Sequence, residues 1–409
     1  VSLNGGVDYS TNRIPFRLTE APRVVSLVPR AGPTGGGTRI LISSTTLVES
    51  STSYFCKFTM NQTSLARGRT VIATHINQSY LQCPSPSQEE TGKACVEISN
   101  NNVDFSNDCV QFEYTPAAEI SGLTPKHGLR SGGTNVTISG TNFREGDNMR
   151  CRFGGIEALR VTFVANNSLV CTAPAMATPG WVSVEVSNNA GVDYTESGLQ
   201  FLYVEPASLA YVYPKLGPEI GGTLLMISGS NFHSSASLSC HFWDIDSNRS
   251  LSLMTTKATF ISSSAMTCAS PAHRPSIVRV SVSSNGQQMT KDHIEFTYHA
   301  SISVTSVSPS RGSLQGGTLV TLSGTGFENS TALSCAFDNV IVIAKYISPL
   351  AIMCDTPAHA TGNITIRVSN NGVDFSFTGA RGASFEFLSD IQVLKILPRL
   401  GPTSGGTEI

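Results

Sequence analysis

One ten-residue pattern, P-x-x-G-x-x-x-G-G-T, recurs five times along this chain and constrains its fold more than any other feature. The copies begin at Pro29, Pro125, Pro214, Pro309 and Pro398, and they close on Thr38, Thr134, Thr223, Thr318 and Thr407. Successive copies are separated by 96, 89, 95 and 89 residues. A period near 90 residues is longer than a solenoid repeat and matches a small domain, so the sequence predicts whole domains in series.

Each of the first four copies leads into the same succession of short apolar and polar runs. An alternating stretch follows directly, and it reads TRILIS, TNVTISG, TLLMISG or TLVTLSG. A C-x-F motif and a C-x-x-P motif come next, then a β-rich run that ends in an Asn-rich turn, and finally a strand such as FEY or FEF. Runs of this length, broken by Gly, Pro and Asn-Gly and without helical periodicity, indicate an all-β sandwich.

These motifs resemble a known domain family. SGGTNVTISGTNF at residues 131–143, with the CRF, CTAP and VEVSNN that follow it, is similar to the IPT/TIG domain. That resemblance covers essentially the whole chain in four copies, and it implies tandem immunoglobulin-like sandwiches of the kind found in plexin-type ectodomains. The turns also resemble those of large protist and algal surface proteins. The fold alone leaves the function open, because receptors, transcription factors and enzyme accessory modules share it.

The first and last residues read as parts of neighbouring domains. VSLNGGVDYS at residues 1–10 nearly repeats VSNNGVDFS at 368–376. We therefore expect four complete domains between the final strands of a preceding domain and the first strands of a following one. The predicted boundaries are 1–22 (partial), 23–116, 117–205, 206–299, 300–389 and 390–409 (partial). The linkers TPAAE, VEPAS, HASIS and SDIQ are very short, so a stiff linear rod is expected.

Consecutive domains alternate in sequence, so the repeating unit is a pair of domains. The cysteines of the C-x-F and C-x-x-P motifs are 27, 20, 28 and 19 residues apart in domains 1 to 4. The ten-residue pattern begins with PRAGP in domain 1 and PKLGP in domain 3. It begins with PKHGL in domain 2 and PSRGS in domain 4. The alternation is either an inherited duplication without present use or a way to present alternate faces to something periodic.

The ten cysteines form an even number, which fits disulfide bonds in an oxidising, extracellular compartment. The alternatives are metal ligands and free thiols, and the sequence lacks the clustered Cys/His spacing of a zinc site. Eight cysteines recur at matching strand positions, and the other two bracket a turn. The predicted pairs are Cys56–Cys83, Cys151–Cys171, Cys240–Cys268, Cys335–Cys354 and Cys95–Cys109. Such bonds would offset the small core of a 90-residue domain.

Seven N-x-S/T sequons predict N-linked glycans on a secreted protein. They lie at Asn61, Asn77, Asn135, Asn166, Asn248, Asn329 and Asn363. Asn135 and Asn363 occupy strand positions whose apolar neighbours point inward, so their side chains are expected to face solvent. The alternative is a simple polar surface.

No catalytic or cofactor motif is present in the sequence: GxSxG, HExxH and GxxxxGK[ST] do not occur. His273 and His359 follow the C-x-x-P motif, where solvated loop residues are expected. The Asp of the closing turn, at Asp8, Asp104, Asp193 and Asp374, supplies one carboxylate per domain, far fewer oxygens than calcium takes. We expect this Asp to order its turn through an Asx-type hydrogen bond. The chain is predicted not to be an enzyme and to need no cofactor or metal.

Charge and hydropathy exclude several partners. Charged residues are only 14% of the chain and the net charge is −2, so no field favours nucleic acid. No apolar run approaches the roughly 18 residues of a membrane span.

Two extracellular functions remain. The first is a structural filament or surface coat that self-assembles through the longer segments 57–82 and 241–267. The alternative is the ectodomain of a receptor or adhesin, in which the array is a spacer for a ligand-binding head. The regular domains, without insertions or charged patches, favour the first.

Overall fold

A computed structural model describes residues 1–12, 18–45, 47, 53–60, 68–244, 253–376, 383–390 and 393–408. All regular secondary structure within these residues is β-strand, so the all-β prediction is confirmed. The chain separates into two compact units, Val1–Val204 and Glu205–Ile409. Each unit contains two domains with their own hydrophobic cores.

Domain 1 forms one eight-stranded sheet that folds over its core, in the order β1-β3-β6-β5-β4-β7-β8-β2. Its strands are β1 Val24–Val28, β2 Ala31–Pro33, β3 Arg39–Ser44, β4 Tyr54–Met60, β5 Arg69–Asn77, β6 Tyr80–Pro84, β7 Gly92–Ser99 and β8 Val110–Thr115. All neighbours are antiparallel except β2, which pairs in parallel with β8. The two halves of the sandwich are joined through β5.

Domain 2 has the same strand order but two separate sheets, β14-β15-β11-β9 and β10-β17-β16-β12-β13. Its strands are β9 Glu119–Thr124, β10 His127–Leu129, β11 Asn135–Thr141, β12 Arg150–Phe153, β13 Ile156–Glu157, β14 Arg160–Ala165, β15 Ser168–Thr172, β16 Gly180–Ser187 and β17 Gln200–Val204. The linker between β8 and β9 is only residues 116–118.

Domain 3 repeats the single eight-stranded sheet of domain 1, in the order β18-β20-β23-β22-β21-β24-β25-β19. Its strands are β18 Ser208–Tyr213, β19 Leu216–Pro218, β20 Leu224–Ser230, β21 Ser239–Asp244, β22 Leu253–Ser262, β23 Ala265–Ala269, β24 Ser276–Ser283 and β25 Ile294–His299.

Domain 4 repeats the two sheets of domain 2, β26-β28-β32-β31 and β27-β34-β33-β29-β30. Its strands are β26 Ser303–Ser308, β27 Arg311–Ser313, β28 Leu319–Thr325, β29 Ser334–Phe337, β30 Val340–Ile343, β31 Lys345–Ser348, β32 Ala351–Asp355, β33 Gly362–Ser369 and β34 Ser384–Leu388. Residues 300–302 link it to domain 3.

The alternating distance between cysteines reflects this difference in sheet architecture. In domain 1 the start of β5 pairs with β4 and its end pairs with β6, so one strand crosses from one half of the sandwich to the other. In domain 3 β22 does the same between β21 and β23. In domains 2 and 4 the corresponding segment is split into β13 and β14, or β30 and β31, which belong to different sheets. The longer spacing therefore accompanies a continuous crossing strand.

The Gly-Gly-Thr segment makes a sharp turn into the third strand of each domain. In domain 1, Gly36 and Gly37 have φ of +76° and +83°, a conformation that side-chain-bearing residues rarely adopt. The Gly37 amide donates to the carbonyl oxygen of Ser85 at 2.7 Å. Thr38, which follows, is fully buried. We call residues 29–38, and their counterparts in the other domains, the entrance segment.

Candidate functional site at the contacts between consecutive domains

The closing turn of domain 2 runs from Ser187 to Asp193, between β16 and β17. The Asn189 side-chain carbonyl accepts the backbone N–H of Asp193 at 2.9 Å, and its amide donates to Asp193 Oδ2 at 2.7 Å. Ser187 Oγ accepts the backbone N–H groups of Asn189 and Gly191. The turn is therefore fixed by short-range side-chain bonds.

The Asx-type oxygen of this turn belongs to the Asn and not, as the sequence led us to expect, to the Asp. In every closing turn of this type the Asn carbonyl caps a backbone N–H, and the Asp carboxylate accepts from the Asn amide. The Asn–Asp pairs are Asn4–Asp8, Asn101–Asp104, Asn189–Asp193 and Asn371–Asp374. In domain 3, Gln288 takes the place of the Asp and accepts from Asn285. One oxygen lone pair of each carboxylate is thus used inside the turn.

In the first unit the closing turn of domain 2 docks on the entrance segment of domain 1. Thr38 Oγ1 donates to Asp193 Oδ2 at 2.7 Å. The Asn189 amide donates to the Ala31 carbonyl oxygen at 3.2 Å. Asn189 is only 5% exposed in this contact. A hydroxyl and a carbonyl of one domain are therefore satisfied by the turn of the next.

The second unit repeats this contact with different residues. Thr223 Oγ1 of domain 3 donates to Asp374 Oδ2 of domain 4, again at 2.7 Å. The Asn371 amide donates to the Leu216 carbonyl oxygen at 2.8 Å. Asn371 is 1% exposed and Thr223 is fully buried. Two separate domain pairs thus use the same four groups in the same way.

Around this shared set, the two units differ. In the first, Arg144 of domain 2 forms an ion pair of 3.0 Å with Glu113 of domain 1, beside a cleft of about 320 Å³. In the second, Glu219 of domain 3 accepts the backbone N–H of Ser301 in the linker at 2.9 Å. That hydrogen bond lowers the pKa of Glu219 below its usual value. The two units therefore have in common the contact formed by the Thr hydroxyl, the backbone carbonyl, the Asp carboxylate and the Asn amide.

An aromatic residue directly after the Asp ties the closing turn to its own sheet. Arg152 lies 3.8 Å from the ring centroid of Tyr194, and burial raises the pKa of this tyrosine. Lys57–Phe105 is the equivalent pair in domain 1, and in domain 4 Phe375 pairs with Arg367 of β33. The sequence pointed to the Asp of the turn, but not to the Thr that pairs with it or to the cation that pairs with the aromatic residue. The recurrence of Thr at the end of all five entrance segments was the available signal.

All ten cysteines are disulfide-bonded in the structure, in the five pairs that the sequence suggests. The four recurring bonds join the two halves of each sandwich, with Cα–Cα distances of 6.4 to 6.5 Å. Cys95 and Cys109 lie on either side of the closing turn of domain 1, with Cα atoms 4.4 Å apart. The recurring bonds are buried in the cores.

Five of the seven sequon asparagines lie on the described surface and are exposed: Asn77, Asn135, Asn166, Asn329 and Asn363. Asn61 and Asn248 lie outside the described residues.

We expect the chain, secreted from a eukaryotic cell, to lose mass on treatment with an N-glycan-releasing amidase, because exposed sequons are accessible to glycosylation. Peptide mapping should find glycan at Asn135 and Asn363. The control substitutes Gln at both positions, which should make the loss of mass smaller. An unchanged mass of the unsubstituted chain after amidase treatment would contradict the prediction.

Among the described residues, no group of three or more His, Cys, Asp or Glu side chains is placed to hold a metal ion. The prediction of solvated loop histidines was wrong for His273, whose side chain is mostly buried beside Asp244 and against the ring of Tyr298. His359 is stacked on the ring of Phe387. Among the described residues no helix is long and apolar enough to cross a bilayer.

The geometry defines a class of protein, a tandem array of immunoglobulin-like sandwiches with side-chain contacts between domains. The IPT/TIG domain family matches at residues 22–114, 118–203, 208–298 and 303–387. The chain therefore belongs to the IPT/TIG domain family, as its motifs suggested.

Two similar human proteins are fibrocystin-L and plexin-A2. Fibrocystin-L is 26% identical over 392 residues, which cover 90% of this chain and 8% of that protein. Plexin-A2 is 29% identical over 200 residues, 47% of this chain and 10% of that protein. The chain thus spans about a tenth of these relatives. A solved structure described as the plexin A4 full extracellular region aligns over 92% of this chain and 32% of its own, with 16% identity and a TM-score of 0.39. These relatives do not support the comparison with algal and protist proteins.

Proposed function

We propose that this chain is a non-catalytic, extracellular segment of a cell-surface protein, in which the IPT array is a spacer. The observation that carries the proposal is the repeated side-chain contact between consecutive domains, formed by Thr38 and Asp193 in one unit and by Thr223 and Asp374 in the other. Three-residue linkers and a buried contact restrain two domains against each other. Such restraint serves a protein that must hold other parts of itself at a set distance.

Two further observations support an extracellular, cell-surface role. Five disulfide bonds are typical of proteins that fold in an oxidising compartment. The motifs resemble plexin-type ectodomains, and plexin-A2 is similar in sequence over 47% of the chain. These similarities favour the spacer over the self-assembling filament or coat that the regularity of the sequence suggested.

Surface labelling and sedimentation together test this function. We expect a membrane-impermeant biotin reagent, applied to intact cells that express the parent protein, to label lysines of this region such as Lys126 and Lys345. The purified chain should sediment as a monomer as its concentration rises, because a spacer needs no self-association. Labelling only after cell lysis would contradict the location. Concentration-dependent fibres would favour the filament, with segments 57–82 and 241–267 as the first candidates for its contacts.

A further inference from the structure

We propose that the entrance segment of domains 1 and 3 is a recognition surface for the closing turn of the following IPT domain, and that this contact couples the stability of the two domains. The inference goes beyond the spacer function and does not require a cell-surface location. Its basis is a Thr hydroxyl and a backbone carbonyl on one side, and an Asp carboxylate and an Asn amide on the other.

Chemical complementarity is complete within this set of four groups. The Thr hydroxyl and the Asn amide donate, and the carboxylate and the carbonyl oxygen accept. Thr38 and Thr223 are fully buried, so their hydroxyl groups have exchanged water for a charged acceptor. Hydrogen bonds to an ionised acceptor are stronger than neutral ones, and leaving a buried hydroxyl without a partner is unfavourable. The carboxylate of the next domain therefore stabilises the entrance segment on which it docks.

The closing turn is organised before it docks. In domain 1 the Asn101 amide donates to Asp104 Oδ2 at 2.9 Å, and the Asn101 carbonyl caps the Asp104 N–H, although both residues are exposed. Residues 2–8 form the same bonds on the surface. A turn that is already ordered loses little conformational entropy on docking, so more of the interaction energy goes into the contact.

Domain 3 shows which part of the turn is needed for its shape. Its closing turn has Gln288 at the Asp position, and Asn285 still donates to it and caps the backbone. A neutral carbonyl oxygen therefore suffices to build the turn. The negative charge is therefore not required for the shape of the turn, and in the docked turns the carboxylates of Asp193 and Asp374 accept the Thr hydroxyl of the neighbouring domain.

Hydrogen–deuterium exchange of the whole 409-residue chain tests the coupling, because it reports each domain separately. In Asp374→Ala we expect amides of the domain 3 entrance segment, residues 214–223, to exchange about tenfold faster or more, through loss of the bond to Thr223. In Thr223→Val we expect faster exchange in residues 369–376 of domain 4. Because both substitutions remove the same hydrogen bond, we expect each segment of the double variant to exchange only slightly faster than in the single variant with the larger effect.

The matched control is Asp104→Ala, which removes the same bonds within the turn from an exposed position. Its effect should stay within residues 96–110. Domains 1 and 2 of the Asp374→Ala chain serve as an internal standard of folding. If Asp374→Ala fails to fold, the isosteric Asp374→Asn decides, and it should still accelerate exchange in the domain 3 entrance segment. Acceleration confined to domain 4 in the Asp374 variant that folds, or strict additivity in the double variant, would overturn the proposal.

Discussion

Replacing Cys151 and Cys171 together by Ala is expected to lower the free energy of unfolding of domain 2 by about 2–5 kcal/mol. This bond closes a 20-residue loop and joins the two sheets of the domain, one through β12 and the other through β15. Without it, the unfolded chain regains the entropy of the open loop, and a small core remains to hold separate sheets together. Alanine is chosen because a buried serine would add the penalty of an unsatisfied hydroxyl.

Pulse proteolysis in a urea series, with fragments identified by mass, measures this loss in the intact chain. The urea midpoint for cleavage within residues 118–203 should fall, while that of domain 3 should not. The control replaces Cys95 and Cys109 by Ala. That pair closes a shorter loop of 14 residues at the edge of a domain with a second, buried bond, so a smaller loss is expected. An equal loss in the two variants would refute the role assigned to the bond between sheets.

The fold was predictable from the sequence because several local signals agree. The alternation in TNVTISG places Val136 and Ile138 in the core, and the C-x-F motif places Cys151 and Phe153 beside them. Turn residues then punctuate the strands at the positions where the structure ends them. Each signal acts over a few residues, so reading the chain locally was sufficient.

The contact between domains was not predictable in the same way. Thr38 and Asp193 are 155 positions apart, and Thr223 and Asp374 are 151 apart, so no local pattern links them. The local sequence indicates only that the Asp lies in a turn and that the Thr begins a strand. Their pairing depends on how two complete domains are juxtaposed, which is decided by the short linker and the packed ends of both sandwiches.

The splitting of the crossing strand in domains 2 and 4 was not predictable from the sequence either. The sequence shows the alternation of cysteine spacing, and that alternation is compatible with two interpretations, inherited duplication or alternate faces. The structure adds a third, because β5 and β22 cross between the halves of their sandwiches whereas β30 and β31 do not. Whether this segment forms one continuous strand depends on its pairing with both neighbouring strands. The spacing between the cysteines alone could therefore not reveal it.

Gly32 links the core of domain 1 to the contact with domain 2. Gly32 lies on β2, and a Cβ atom added there would overlap Thr38 Oγ1 and lie 2.9 Å from the ring of Phe112. Because both neighbours are buried, Gly32→Ala must displace one of them. Overpacking of this kind typically costs about 1–3 kcal/mol. A displaced Thr38 would also lose its bond to Asp193, so domain 2 should be affected as well.

Gly35→Ala in the same segment is the matched control, because a Cβ there meets nothing within 4 Å and its φ lies outside the left-handed region. We expect Gly35→Ala to leave the urea midpoints of both domains within a few tenths of a molar of the parent. Gly32→Ala should lower the midpoint of domain 1 and accelerate hydrogen exchange in the domain 2 closing turn, residues 187–193. Equal behaviour of the two variants would mean that the close approach of Gly32 to Thr38 is not required. A loss limited to domain 1 would mean that Thr38 transmits nothing to the next domain, since the displaced hydroxyl is the atom that Asp193 holds.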